Sequence, residues 1–206
     1  SARFARHALA NPVVIAAALL SALLVATGTD YRSFFDGAQF VHFLLGPATV
    51  ALAIPLYRNL ATVRRALLPM AAALVAGSVT AAVSAVGVAW LFGAPHEVLA
   101  SLAPQSVTPP IAMELAKSLG GVPSLTAVLV IATGITGAVV VTPLMNALTI
   151  RDYAARGFAV GVASHGIGTA RAFQVSELAG TFAGIAMGLN GALTSLLVLL
   201  WLALAG

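Results

Sequence analysis

Apolar runs separated by short polar groups make up most of the chain. About 20 mostly apolar residues cross the hydrocarbon layer of a bilayer. Reading from charge to charge therefore predicts five full spans: Asn11 to Gly28, Gly37 to Tyr57, Ala66 to His96 with its end near Phe92, Ser118 to Ile150, and Leu178 to Gly206. Two shorter apolar pieces, Val98 to Met113 and Gly157 to Ala170, are interrupted near the middle. The interruptions are Ser106-Val107-Thr108-Pro109-Pro110 and Ser164-His165-Gly166-Ile167-Gly168-Thr169. Proline removes a backbone donor and glycine loosens a helix, so both pieces are expected to break there. Bared amides and carbonyls are tolerated in a bilayer only where they line a cavity or lie under protein. The expected fold class is an all-α polytopic membrane protein with five full spans and two broken or re-entrant segments.

Shifting the chain on itself by sixty residues lays Ala103-Pro104-Gln105-Ser106-Val107-Thr108-Pro109 on Ala163-Ser164-His165-Gly166-Ile167-Gly168-Thr169. It also pairs Gly77 with Gly137, Ala112 with Ala172 and Gly120 with Gly180. Paired, Gly/Pro-interrupted segments of this kind point to the binding site of a transporter. One integral membrane domain, residues 1–206, then divides into scaffold spans over 1–65, a first repeat unit over 66–120, a second over 121–180 and a last span over 181–206. With Arg3 and Arg6 inside, the second span returns Arg58, Arg64 and Arg65 to the same face. Re-entrant hairpins keep Arg151, Arg156 and Arg171 inside as well and make the two units an inverted repeat. Fully crossing broken spans put Arg151 and Arg156 outside and remain the other reading.

Composition excludes a soluble domain. Of 206 residues 60% are hydrophobic and only 8% charged, against about 25% charged in soluble proteins. Mean hydropathy is +1.02. The formal charge of +4 comes from ten Lys+Arg in small groups between apolar runs. That is a topology signal rather than a nucleic-acid surface. No cysteine is present, so there is no disulfide framework and the redox compartment stays open. Arg3, Arg6 and His7 ahead of an apolar core look like the start of a signal peptide, but everything after is equally apolar. The start at Ser1 rather than Met leads us to expect a preceding segment.

Thr108 before Pro109 and Pro110 reads as an N-cap with proline in the first helical turn, so a half-helix should start there and run through Glu114. Gly168-Thr169 is expected to start a second one. Two helix amino ends meeting inside the bilayer would suit a small anion such as a carboxylate. Arg171, expected in the first turn of the second half-helix, would add a bidentate fork. Its plainer role is a cytoplasmic anchor beside Glu177 or Glu114. His165 is a candidate to carry a coupling proton or to satisfy exposed backbone, and Glu114 is a second proton-coupling candidate. Asn190, the one amide in the last run, is either interhelical glue or a ligand contact. The substrate-binding candidates are Ser106, Thr108, Ser164, His165, Gly168, Thr169, Arg171 and Asn190. His42 with Gly46-Pro47 is explained by a kink and a buried hydrogen bond, and His7 and His96 need no function.

Enzyme readings fare worse. Gly166-Ile167-Gly168-Thr169-Ala170-Arg171 starts like a dinucleotide fingerprint, but Arg171 replaces the third glycine and no acidic ribose partner follows. Ser164 and His165 are adjacent, which points them to different sides of a helix, and no nucleophile elbow or metal-ligand cluster occurs. Neither catalysis, cofactor nor metal is expected.

The blocks Ser106 to Met113, Gly120-Gly121-Val122-Pro123-Ser124-Leu125-Thr126-Ala127, Ala154-Ala155-Arg156-Gly157, Ala163 to Ala172, and Pro47 to Tyr57 resemble the signature blocks of the LrgB/CidB family over nearly the whole chain. Members of that family commonly have Thr where Pro109 stands, Ala where Gly166 stands, and one more apolar segment at the amino end. The resemblance implies either of two roles. One is an antiholin-like factor that modulates murein hydrolase activity and lysis with a small LrgA/CidA-type membrane partner. The other is a carrier of small 2-oxo and 2-hydroxy monocarboxylates of the pyruvate, glycolate or glycerate type. The two opposed helix ends favour the carrier, working by alternating access in a bacterial inner membrane, with a homo-oligomer expected.

Overall fold

The computed structural model describes residues 12–51 and 53–205, and every described element is helical or a connecting turn. Arg3, Arg6, His7, Asn11 and Gly206, invoked above, lie outside the described residues, as does the side chain of His42. The chain divides into two units between Arg58 and Asn59. The first holds α1 (Pro12–Thr27), α2 (Tyr31–Ala51) and α3 (Ala53–Arg58). Gly28, at φ +61, ends α1, and the Asp30 carboxylate accepts from the Arg32 amide to cap α2.

The second unit holds α4 (Leu60–Arg65), α5 (Leu67–Leu91), α6 (His96–Leu102), α7 (Pro109–Ser118), α8 (Pro123–Ala147), α9 (Tyr153–Val175) and α10 (Glu177–Ala205). Among the described residues three helices, α5, α8 and α10, are long and apolar enough to cross a membrane. At 25 residues, α5 and α8 each extend about 37 Å against a hydrocarbon core of about 30 Å. Large apolar side chains such as Val83, Leu91, Leu199 and Leu204 stand more than half exposed on these helices. Such a surface is stable against lipid and not against water, so this is a membrane protein.

Both interrupted segments fold back on themselves. In the first, His96 at the start of α6 donates from Nε2 to the Leu119 carbonyl just past the end of α7, at 3.1 Å. Ser101 Oγ accepts from the Val122 amide at 2.8 Å, which ties the same base. In the second, α9 loses helical geometry at Ser164 (φ −137, ψ 16) and His165 (φ 40, ψ −132). Gly168 then packs against the Val160 carbonyl, and Val160 shares an apolar cluster with Ala172. Twelve residues of straight helix would hold Val160 and Ala172 about 18 Å apart, so residues 166–175 must run back beside 153–163. Contacts with α10 agree: Gly157 meets Ala179 and Gly161 meets Ala183 in parallel order, whereas Gly166 meets Met187 and Phe173 meets Gly180 in antiparallel order.

Element ends repeat more closely than side chains do. α8 follows α5 by 56 residues at both ends (Leu67 to Pro123, Leu91 to Ala147), and α9 starts 57 residues after α6 (His96 to Tyr153). The sixty-residue shift expected from side-chain identities is thus about one helical turn too long, because small apolar residues recur at that spacing anyway.

α8 runs from the base of the first hairpin to the base of the second. Its middle touches both tips: Thr133 Oγ1 donates to Gln105 Oε1 at 3.0 Å, Gly134 faces the His165 ring and Gly137 faces Ser164. The hairpins therefore approach from opposite ends and meet halfway along α8.

Candidate functional site

The tips meet at one side chain. Asn190, fully buried halfway along α10, donates from Nδ2 to the Ser106 carbonyl (3.2 Å), Ser106 Oγ (3.2 Å) and the Val162 carbonyl (3.1 Å). Its Oδ1 accepts from Ser78 Oγ of α5 at 2.6 Å. One carboxamide thus joins both hairpins and two long helices. An amide has one strong acceptor and two donors, and here all are engaged, which is the condition for burying it.

Two cavities lie on either side of this node. One, of about 480 Å³, is bounded by the second half of α5 from Ser78 to Val86, by His96 and Leu119 at the first hairpin's base, and by α10 from Thr194 to Trp201. Ser106 and Ser78 form its deep end. The other, of about 420 Å³, is bounded by α5 from Pro69 to Ala81, by Asp152 and Ala154 at the second hairpin's base, and by Phe182. Val162 and Ala163 close it. Neighbouring residues of α5, Gly77 and Ser78, therefore line different cavities.

Ser164, two residues beyond Val162, is fully buried, and its Oγ has no hydrogen-bond partner among the described residues. His165 is buried and donates from Nε2 to the Val130 carbonyl at 2.9 Å. Its φ of +40 with ψ of −132 is a conformation that glycine adopts readily and a side chain does not. Thr169 Oγ1 donates back to the His165 carbonyl at 2.8 Å, and Gly168 is wedged against Val160. Thr108 does sit at the start of α7, but its side chain makes no capping bond.

Three expectations need correction. The second half-helix starts after His165, at Gly166 and so two residues before Gly168-Thr169, because the reversal is made by Ser164 and His165 and not by the glycines. That places Arg171 in the second turn, turned to the base of the hairpin. There it is buried, bonds Gln174 Oε1 at 3.2 Å and lines a narrow cleft with Arg156 and Tyr153. Arg156 in turn donates to Asn146 Oδ1. Arg171 is thus not gathered with the tip residues, and neither is Glu114, which is exposed on α7. Finally, α7 opens with Pro109 and Pro110 at N1 and N2, which carry no N–H. Within the first turn of α7 the first N–H is therefore that of Ile111, whereas the second half-helix opens with Gly166, Ile167 and Gly168, each of which has one.

Sequence reasoning missed Ser78, the Val162 carbonyl and the pair Gln105–Thr133. It also missed a legible signal: Gly157 and Gly161 are spaced as in small-xxx-small helix contacts and seat the first arm on Ala179 and Ala183. Among the described residues no three of His, Asp or Glu gather to hold a metal ion.

Comparison with known proteins fits this architecture of apolar helices. A Bacillus subtilis protein designated YxaC is 35% identical over 184 residues, covering 89% of this chain and 80% of the relative. A second B. subtilis protein, YwbG, is 34% identical over the same share of the chain and 82% of its own. A Staphylococcus epidermidis protein named holin-like protein CidB is 29% identical over 92% of this chain and 83% of its own. No solved structure matches. The profile of the LrgB-like family covers residues 1–204, broken segments included, and the chain belongs to that family.

Proposed function

We propose that the protein carries a small monocarboxylate, of the 2-oxo or 2-hydroxy acid class, across the bacterial inner membrane by alternating access. One observation carries this reading: two hairpins with bases at opposite ends of α8 and tips joined through Asn190. Chains of this type present an inverted repeat, each unit being a full span followed by a re-entrant hairpin, and their sites lie where the tips meet. The end holding Arg64, Arg65, Arg151, Arg156 and Arg171 is the cytoplasmic one by the positive-inside rule, leaving Lys117 at the other. Gly166, Ile167 and Gly168 amides, the Ile111 amide and the Ser106 and Ser164 hydroxyls supply donors for a carboxylate.

A second reading rests on relatives named holin-like protein CidB. In it the protein regulates murein hydrolase activity and lysis with a small LrgA/CidA-type partner and moves no solute. Saturable uptake of labelled pyruvate or glycolate into proteoliposomes of the purified protein tests the first reading. No uptake, with or without such a partner, leaves the regulatory reading.

A further inference from the structure

We propose that Asn190 and Ser78 form the gate of this pathway, and that the solute opens it by taking over their hydrogen bonds. The inference rests on the transport reading and adds what closes the path and how a solute releases it. Two cavities of similar size, about 480 Å³ and 420 Å³, reach in from opposite ends and flank the same buried node, one touching it at Ser78 and Ser106 and the other at Val162, with their α5 walls overlapping between Ser78 and Ala81. Their walls are mostly alanine, valine and leucine, and the polar groups at the deep end of the larger one are Ser78 and Ser106. Such a cavity fits a solute with a small apolar body and one polar head. A head that reaches the node meets the Ser78 hydroxyl, the Ser106 hydroxyl and the Asn190 amino group, all able to donate. A carboxylate accepts from all three, so it can replace both the Ser106 oxygens and Asn190 Oδ1 as acceptor.

Release of Asn190 Nδ2 from Ser106 would free the first hairpin while the bond to Val162 still holds the second, and the reverse exchange would free the second. The node therefore ties the two units together in the closed state, and a bound carboxylate lets one loosen at a time. The buried Ser164 hydroxyl, with no partner in the closed state, is available as a further donor once the second tip moves. Ser78 is a new assignment. A serine in an apolar helix commonly bonds its own carbonyl four residues back, whereas Ser78 bonds a side chain 112 residues away.

The absence of cysteine makes the gate measurable. Ala73→Cys reports on one cavity and Ala82→Cys on the other. Each is placed in the native background and beside Ser78→Ala or Asn190→Ala, reconstituted in vesicles, and treated with a membrane-impermeant thiol reagent from either face, with and without pyruvate. In the native background each cysteine should react from one face only, and pyruvate should change the rates. With Asn190→Ala both should react from both faces, while uptake falls about tenfold or more; Ser78→Ala, which removes one bond, should lower uptake about threefold. Where Asn190→Ala yields too little folded protein, Ser78→Ala carries the test through the same two readouts. Native uptake accompanied by one-sided labelling and unchanged uptake in both variants would overturn the gate alone. Lack of pyruvate uptake by the native protein would overturn the transport reading and the gate with it.

Discussion

The two hairpins reach the same node by different chemistry. The first reverses over six residues, 103–108, and restarts on Thr108-Pro109-Pro110, where proline fixes the backbone and strips two amides from the new helix. The second reverses over two residues, with His165 held at positive φ and glycines accepting the close approach of neighbouring helices. The first is shaped by its own covalent stiffness and the second by what surrounds it. The second restart thus carries an N–H at each of its first three positions, where the first lacks two. Strain is concentrated on the second tip, held by packing that can be removed one residue at a time.

Packing around the second hairpin should accordingly be the more fragile. Gly161→Leu drives a side chain into the Ala183 backbone and should cost about 3 kcal/mol or more. Size-exclusion chromatography in detergent should find little folded protein, whereas Gly188→Leu should behave as native, since a Cβ at exposed Gly188 meets nothing within 4 Å among the described residues. Next in size, Gly137→Ala collides with Ser164 and should destabilise by about 1–3 kcal/mol. Adding Ser164→Gly should recover about 1 kcal/mol of that in a thermal-unfolding double-mutant cycle, and strict additivity would deny the contact. Smaller again, His165→Ala loses the bond to Val130 and keeps the strain, whereas His165→Gly loses the bond and relaxes the backbone. The glycine variant should be the more stable by about 1 kcal/mol, the reverse of the usual order in a helix. The smallest effect belongs to the first hairpin. Pro110→Ala restores an amide at N2, should change stability by less than about 1 kcal/mol, and should strengthen pyruvate binding in equilibrium measurements. No gain in binding would place the anion wholly on the second tip.

Legibility in the sequence followed the same divide. The long apolar stretches and their charged boundaries announced α5, α8 and α10, because the lipid requirement acts on every residue of a span. Thr108-Pro109-Pro110 announced the start of α7 to the residue, since proline's effect is local and covalent. The second interruption was expected over Ser164 to Thr169, and the start of its half-helix at Gly168-Thr169 was set two residues late. Gly166 and Gly168 advertised a break, but the turn falls on Ser164 and His165, whose geometry is imposed by α8 and α10. Arg171 looked close to the tip on paper, yet six residues along a helix are about 9 Å. Asn190 stood out as the lone amide of its run, but its partners Ser78 and Ser106 lie 112 and 84 residues away and no local pattern links them. The first three helices form a unit of their own, with α1 at 16 residues and α2 carrying Arg32 and Asp36 near its start.

The fastening between the hairpins also has an order of manufacture. Ser78 and Ser106 leave the ribosome well before Asn190, which belongs to α10. At about 5–20 residues per second, the 112 residues between Ser78 and Asn190 take roughly 6–22 s to synthesise. Late in that interval the first hairpin is held by its own base and by the bond between Gln105 and Thr133, without Asn190. The bonds through Asn190 therefore form only once α10 is inserted, and a chain cut short before α10 would keep the contacts of both tips with α8 but lack the tie between the hairpins.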